Sequence, residues 1–306
     1  MSKICAVIVT YNRKECLKRC VDSILNQTVK VDKILIIDNA SSDGTQEFLS
    51  SEGYLALPVV DYRRLDENIG GAGGFNKGMG IAFDEGYDWI WAMDDDGIPS
   101  STCLEKLLNA FDETGAKYVA PLVINIENEN ELSFGLYSSE CGKIIRDRNY
   151  FEKRGIRYFY GEANPFNGVL IHRDIIDAVG LPKAEMFIWG DETEYLMRVK
   201  KHKFDVVTCI DAIHKHPKDR VTVRRTLMGF AGVAVTGDRF RDYVRARNHA
   251  YIYSRYYPKL ELLKFFILYV YYYLITDRLN FRGLYLFLKA FMDGITDNFS
   301  KHQNYR

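Results

Sequence analysis

The sequence has no surplus charge of either sign: lysine plus arginine number 41, and aspartate plus glutamate number 41. A general nucleic-acid binder carries a basic excess, so no nucleic acid is expected as a partner. There is no C-x-x-C pair among Cys5, Cys16, Cys20, Cys103, Cys141 and Cys209, which excludes a zinc ribbon and a thioredoxin-like motif. Cys5 lies in one apolar run and Cys209 ends another, so buried thiols and a reducing cytoplasm are expected. Long apolar runs are also missing. The longest, 265–275, is closed by Asp277 and Arg278 and is shorter than the ~18 residues a spanning helix needs. Met1–Lys3 leads straight into Ile4–Thr10 without a cleavage-site pattern, so no signal peptide and a cytoplasmic location are expected.

The chain has 306 residues, 47% hydrophobic and 27% charged, a globular composition with length for about two domains. The neutrality hides an asymmetry. Residues 214–259 hold 11 Lys/Arg against 3 Asp/Glu, a local +8, and the remainder therefore sums to −8.

Ile4–Thr10 and Lys33–Asp38 are continuous apolar, β-branched runs, as buried parallel strands require. Pro58–Tyr62 and Tyr87–Met93 supply two further strands. Helical spacing fits Lys14–Asn26, 72–86 and Ser101–Gly115, and Ser41–Thr45 reads as a turn opening a helix. Strands alternating with helices imply a parallel sheet, and ligands bind such sheets at the carboxyl ends of the strands. The polar residues collect there: Thr10-Tyr11-Asn12-Arg13, Asp38-Asn39-Ala40-Ser41 and Asp94-Asp95-Asp96.

Three adjacent carboxylates repel one another unless a cation is present. Oxygen ligands suit Mg²⁺ or Mn²⁺. An EF-hand is excluded because Ile98 and Pro99 stand where that loop needs a ligand and a glycine. Asn68–Gly80 (NIGGAGGFNKGMG) is rich in glycine, but Asn76 breaks the dinucleotide fingerprint and Met79 breaks the P-loop. Asn68, Gly71 and Gly74 leave a backbone that a ligand can approach closely, or one that packs tightly on the sheet. The helix it opens favours phosphate, and Lys77 adds a charge.

Residues 125–160 read as loops or short strands shaping a pocket, Phe166–His172 as a strand, and Asp174–Val179 as a short helix. Met186–Arg198 places Asp191, Glu192 and Glu194 in the first turn of a helix. The helix dipole favours acids there, and Glu194 can pair with Arg198 at i,i+4. The Phe187-Ile188-Trp189 wall leading into them raises a carboxylate's pKa and suits it to general-base work. Phe204–Ile210 is a further strand, with His214 and His216 after it. Either histidine is a candidate metal ligand.

The order TYNR (10–13), DNASSDGT (38–45), NIGGAGGFNKGM (68–79), DDD (94–96), GDETEY (190–195) and a closing histidine resembles the family 2 inverting glycosyltransferases, over roughly residues 4–217. The resemblance implies an α/β chain with the GT-A nucleotide-sugar-binding fold, a mainly parallel central sheet and a C-terminal helical region. The GGAGGF and FIWGDETEY stretches look most like the galactofuranosyltransferase and rhamnosyltransferase branch. By position, Thr10, Tyr11, Asn12, Arg13 and Asp38 hold the nucleotide, with Asn68, Gly71, Gly74, Lys77 and Asp95 added to that set. Asp94 and Asp96 form the D-x-D pair for Mn²⁺ or Mg²⁺, with His216 or His214 beside it. Glu192 or Asp191 supplies the base, and Trp189 and Glu194 lie on the acceptor side. The implied partners are a UDP- or dTDP-linked sugar donor and a glycan or lipid-linked oligosaccharide acceptor. The implied reaction is galactofuranosyl transfer from UDP-galactofuranose in bacterial surface polysaccharide synthesis, with dTDP-rhamnose as the alternative donor.

The resulting division is a catalytic domain over 1–217 and a helical region over 218–306. Arg239–Arg255 is basic and aromatic, and Leu260–Ile275 and Leu284–Phe299 follow as helices rich in Tyr, Phe and Leu. Such a surface serves core packing, a homo-oligomer, or peripheral contact with anionic lipid at the inner face of the plasma membrane. Two other classes compete. A nucleotidyltransferase needs a phosphate-gripping loop near the N-terminus, and Thr10–Arg13 is short and lacks glycine. A non-catalytic nucleotide-sugar-binding or assembly protein does not need Asp94, Asp96, Asp191 and Glu192 intact.

Overall fold

Alternate residues of the first strand face two different cores. In the computed structural model, which describes residues 2–218, 223–227 and 231–300, β1 (Ile4–Thr10) sends Ile4, Ala6 and Ile8 to one face and Cys5, Val7 and Val9 to the other. A strand covered on both faces is apolar throughout. The same holds for β2 (Lys33–Asp38) and β4 (Trp89–Asp94). The chain order is β1, α1 (Lys14–Leu25), β2, α2 (Thr45–Ser51), β3 (Val60–Arg64), α3 (Gly70–Asp84), β4, β5 (Ile98–Pro99), α4 (Cys103–Thr114) and β6 (Tyr118–Asn125). Then follow β7 (Asn128–Ser138), β8 (Lys143–Asp147), α5 (Asn149–Glu152), β9 (Tyr158–Tyr160), β10 (Asn167–His172), α6 (Arg173–Val179), α7 (Asp191–Lys201) and β11 (Val206–His216). The central sheet runs β3-β2-β1-β4-β10-β6-β11-β5. Its β3-β2-β1-β4 core is parallel, as is β6 with β11, while β10 runs antiparallel between β4 and β6.

The chain divides into two compact units, Met1–Ala184 with Tyr195–Asp219, and Glu185–Glu194 with Arg220–Arg306. The first holds the sheet. The second contains the hairpin β12 (Val223–Thr226) and β13 (Ala231–Ala234), then α8 (Arg239–Tyr256), α9 (Lys259–Tyr271), a π-helical turn at Tyr272–Thr276 and α10 (Phe281–Ile295). Its core joins Tyr243, Val244 and Ala250 of α8 to Phe265 and Tyr269 of α9 and Phe287 and Ala290 of α10. Within the basic stretch 214–259, residues 219–222 and 228–230 lie outside the described residues, as do 301–306 of the C-terminal region. Among the described residues no helix is long and apolar enough to cross a membrane.

Three elements differ from the sequence reading. The strand expected over Phe204–Ile210 continues to His216, so both histidines sit on it. Its polar end is held by pairing with β6 on one side and β5 on the other. Residues 128–147, read as loops or short strands, form an antiparallel hairpin whose first strand has eleven residues and whose register shifts between Glu131 and Leu136. The run 260–275 is broken into α9 and the π-helical turn.

The glycines of α3 show what the close approach of helix and sheet requires. A Cβ on Gly74 would lie 2.5 Å from Val9 Cγ1, and one on Gly78 would lie 2.5 Å from Val7 Cγ1. A Cβ on Gly71 would meet nothing within 4 Å. Gly78→Ala should therefore cost about 1–3 kcal/mol through overpacking, whereas Gly71→Ala should be neutral or stabilise by up to ~1 kcal/mol. Urea denaturation of both variants checks this, and equal midpoints would contradict the packing account.

Candidate functional site

Register brings the polar strand ends together. Thr10 stands opposite Asp38 in the β1–β2 ladder, and Val9 stands opposite Asp94 in the β1–β4 ladder. From this edge Thr10 Oγ1 donates to Asp95 Oδ2 at 2.6 Å. Arg13 Nη1 donates to Asp96 Oδ2 at 2.6 Å and reaches Asp95 Oδ1 at 3.4 Å. The fourth member comes from β11. Because Lys215 pairs with Ile98 of β5, two residues after the acids, His216 lands with Nε2 3.0 Å from Asp96 Oδ1.

The three carboxylates end in different states. Burial and the neighbouring Asp96 push Asp94 up to about 8. Burial also raises Asp95, to about 6, against the pull of Thr10 and Arg13. Asp96 is half-buried, which opposes its charge, but the hydrogen bond and charge of His216, with Arg13, hold its pKa down to about 2. Burial opposes the charged form of His216, yet its bond to Asp96 outweighs this and the pKa rises. The other ring nitrogen, Nδ1, lies 2.6 Å from the Pro217 carbonyl. With an acceptor at each nitrogen the ring favours its protonated form.

His214 differs. It is fully buried, both ring nitrogens lack a hydrogen-bond partner among the described residues, and burial pushes its pKa down to about 3. Its ring fills a space left by two glycines. A Cβ on Gly97 would overlap Nε2, and one on Gly168, at φ +78°, would lie 2.6 Å from Nδ1.

The remaining nucleotide candidates lie at the ends of β1 and β2 and on or just before α3. Tyr11 is exposed. Asn12 adopts φ 54°, donates its N–H to Ser41 Oγ at 2.9 Å and accepts from the Ser42 N–H at 2.7 Å. Asp38 is buried and accepts from the Ser41 N–H at 2.8 Å and from the Tyr62 hydroxyl. Asn68 accepts from the Gly70 N–H at 2.8 Å where α3 begins. Gly71 faces open space, Gly74 packs on Val9, and Lys77 is exposed farther along α3.

The second group of candidates lies in the second unit. Asp191, Glu192 and Glu194 fill the first turn of α7. Asp191 and Glu194 are buried, and Glu194 Oε1 accepts from the Tyr256 hydroxyl at 2.7 Å. Glu192 is partly exposed, and its Oε2 accepts from the Gly190 N–H at 2.9 Å. Trp189 lies under the Arg245 guanidinium at 5.9 Å. The segment before the acids is contorted: Phe187, Trp189 and Gly190 all have positive φ, of 69°, 57° and 97°. Two residues that the sequence reading missed hold it. Asn248 Nδ2 donates to the carbonyls of Met186, Ile188 and Trp189 at 2.9, 2.9 and 2.7 Å. Arg247 Nη2 donates to the Met186 carbonyl at 2.9 Å. Both are fully buried. The signal was present, since Asn248 sits four residues from both Val244 and Ile252, on the apolar face of α8.

Among the described residues no three His, Cys, Asp or Glu side chains converge into a complete metal-binding group. Two carboxylates and an imidazole do suit Mn²⁺ or Mg²⁺ when phosphate oxygens and water complete the shell. The 3.0 Å approach of His216 to Asp96 and the burial of Asp94 beside it fit that partial set.

The glycosyl transferase family 2 model matches residues 5–177. The galactofuranosyltransferase GlfT1 of Mycolicibacterium smegmatis is 31% identical over 256 residues, 82% of this chain and 83% of that protein. GlfT1 of Mycobacterium tuberculosis is 29% identical over 300 residues, 97% of this chain and 96% of its own. Among solved structures, GalNAc-T7 with UDP, GalNAc and Mn²⁺ superposes with a TM-score of 0.56 at 16% identity. It covers 86% of this chain, which spans about half (54%) of that one, and the likeness is one of fold.

Asn248→Ala removes the amide donor shared by three carbonyls, of which that of Met186 keeps Arg247 and the Ile188 N–H, so it should cost about 1–3 kcal/mol and lower kcat more than it raises the donor KM. Asn248→Asp keeps the shape, loses the donor and should behave the same way. Unchanged unfolding midpoint and kcat in both variants would remove Asn248 from any positioning role.

Proposed function

The chain belongs to glycosyl transferase family 2, and from that premise we propose that it moves galactofuranose from a UDP-linked donor to a hydroxyl of a glycan or lipid-linked acceptor, inverting the anomeric centre. The donor assignment is supported by the galactofuranosyltransferase relatives, which align over most of their length. The single observation that carries the site is the cluster of Thr10, Arg13, Asp95, Asp96 and His216 at the carboxyl edge of the sheet. Asp94, Asp96 and His216 would hold the cation. His216 takes this role rather than His214 because its ring already meets Asp96. Bound Mn²⁺ or Mg²⁺ supplies Lewis-acid stabilisation of the departing diphosphate. Arg13 adds a positive charge on the same side, and Thr10–Arg13 with Asp38 hold the nucleotide.

Glu192 acts as the base. Of the three acids in the first turn of α7 it is the one left partly exposed, whereas Asp191 and Glu194 are buried. It accepts the proton of the acceptor hydroxyl as that oxygen bonds to the anomeric carbon and the nucleotide leaves. Asp191 and Glu194 shape the turn, and Trp189 provides a flat apolar surface suited to a sugar ring. The helical C-terminal unit acts at a membrane surface.

Nucleotide release with a panel of UDP- and dTDP-sugars tests the donor. Turnover should be highest with UDP-galactofuranose, and preference for dTDP-rhamnose would replace that donor. Excess chelator should abolish turnover, with Mn²⁺ or Mg²⁺ restoring it, and Asp96→Asn should weaken donor binding only when metal is present. Glu192→Gln should lower kcat by ~10²-fold or more with donor affinity nearly intact, the usual scale of general-base catalysis. An inactive Asp191→Asn beside an active Glu192→Gln would move the role to Asp191.

A further inference from the structure

The second unit contains a cavity of about 850 Å³ whose lining includes none of the residues assigned to the transfer reaction. Arg224 and Arg225 of β12, Arg239 of α8 and Arg282 of α10 line it, with Tyr273 and Tyr285. None of the four arginines has an ion pair among the described residues. The two acids in the wall do not neutralise them. Asp242 accepts from the Thr236 and Gly237 N–H groups at 2.7 and 3.1 Å, and Asp277 accepts from Asn280 Nδ2 at 2.7 Å. The lining therefore carries four positive charges against two negative ones.

The backbone adds to this. The first turns of α8 and α10 both line the cavity. These helices have 18 and 15 residues, and their N-termini present positive dipole ends. The loop into α10 has non-glycine residues at positive φ, Arg278 at 51° and Leu279 at 61°. Strain of this kind persists where the surrounding structure holds it.

An apolar stripe begins at the cavity wall. Tyr285 is 67% exposed, and Phe281, Leu288 and Met292 are exposed with it at helical spacing along α10. A strongly cationic cavity adjoining an exposed apolar stripe matches an amphiphile with an anionic head, not a free sugar or a protein groove.

We propose that this cavity seats the phosphate of an anionic phospholipid head group while the α10 stripe lies against the hydrocarbon. The proposal rests on the interfacial reading of the C-terminal unit and is independent of the sugar transferred. Arginine suits the role because its planar donor fork matches phosphate oxygens in pairs.

Sedimentation of the full chain with vesicles tests it, using phosphatidylcholine alone or mixed with phosphatidylglycerol. The wild type should bind the mixed vesicles at least tenfold more tightly, and more weakly as salt rises. Arg224→Gln with Arg282→Gln should remove most of that preference, by about tenfold or more, while the unfolding temperature and the turnover of a soluble acceptor stay unchanged. Tyr285→Ser with Met292→Ser should weaken binding to both vesicle types. If the arginine variant keeps the wild-type preference, the cavity proposal fails and the interfacial reading stands. If neither vesicle binds the wild type, both fail, without bearing on donor turnover. If inorganic phosphate raises the unfolding temperature of the wild type alone and no vesicle binds, the cavity serves a soluble phosphate ligand and the lipid assignment is overturned.

Discussion

Three successive carboxylates at the end of a buried strand need compensation, and the edge of the sheet is arranged around that requirement. Isolated ionised carboxylates are costly away from water. Each of the three meets the cost differently. Asp96 keeps its charge by pairing with His216 and Arg13. Asp95 accepts from Thr10 across the β1–β4 edge. Asp94 is pushed up to about 8 by burial and by Asp96, the state of a group that gains most from an added cation. The β5–β11 pairing follows from the same need, since it carries His216 to the acids. The two glycines around His214 allow that strand to pass so close, as a side chain on either would meet the ring.

The parallel core and its polar edge were legible because buried strands need unbroken apolar runs, and Thr10, Asp38 and Asp94 stood out at the end of each. The acidic turn of α7 was legible for a similar reason, as charge placed at a helix start has a recognisable cause. The end of β11 was not legible. Ile213–His216 is polar and irregular, and pairing with a two-residue strand cannot be read from spacing alone. The β7–β8 hairpin was hidden by its solvent-facing residues. Arg247 and Asn248 differ: in a helix of Arg, Tyr and Ala both pass for surface residues by type, and only the spacing of Asn248 from Val244 and Ile252 places it on the apolar face, where both residues donate to the carbonyls of the strained segment. The glycine-rich stretch had two open readings. The structure separates them by residue, with Gly74 and Gly78 shaped by packing and Gly71 free of neighbours.

The acidic turn shows how irregular backbone is maintained. A segment with positive φ at Phe187, Trp189 and Gly190 cannot form a helix or a ladder, so its carbonyls need other donors. Asn248 supplies two N–H bonds from one amide nitrogen and is shared among three carbonyls, and Arg247 adds its guanidinium. Burying an arginine is costly, and burial indeed pushes its pKa down to about 10. That cost is offset because its donors meet the carbonyls of Met186 and Phe299. The helix that orders the acids is therefore the same one whose first turn lines the arginine cavity.

Beneath the zero net charge of the chain lie two clusters of opposite character. The sheet edge concentrates carboxylates, and it limits their repulsion by raising Asp94 to about 8 and by pairing Asp95 and Asp96 with Arg13 and His216. The cavity of the second unit concentrates guanidinium groups, while its own acids are turned to backbone and amide N–H groups. The cavity leaves its positive charge over, although an uncompensated cluster repels itself. The sheet edge instead meets its carboxylates with a raised pKa, a guanidinium and an imidazole, and an added cation would take over that compensation by favouring the charged form of Asp94. A site that leaves over positive charge beside an apolar stripe is suited to an anionic amphiphile.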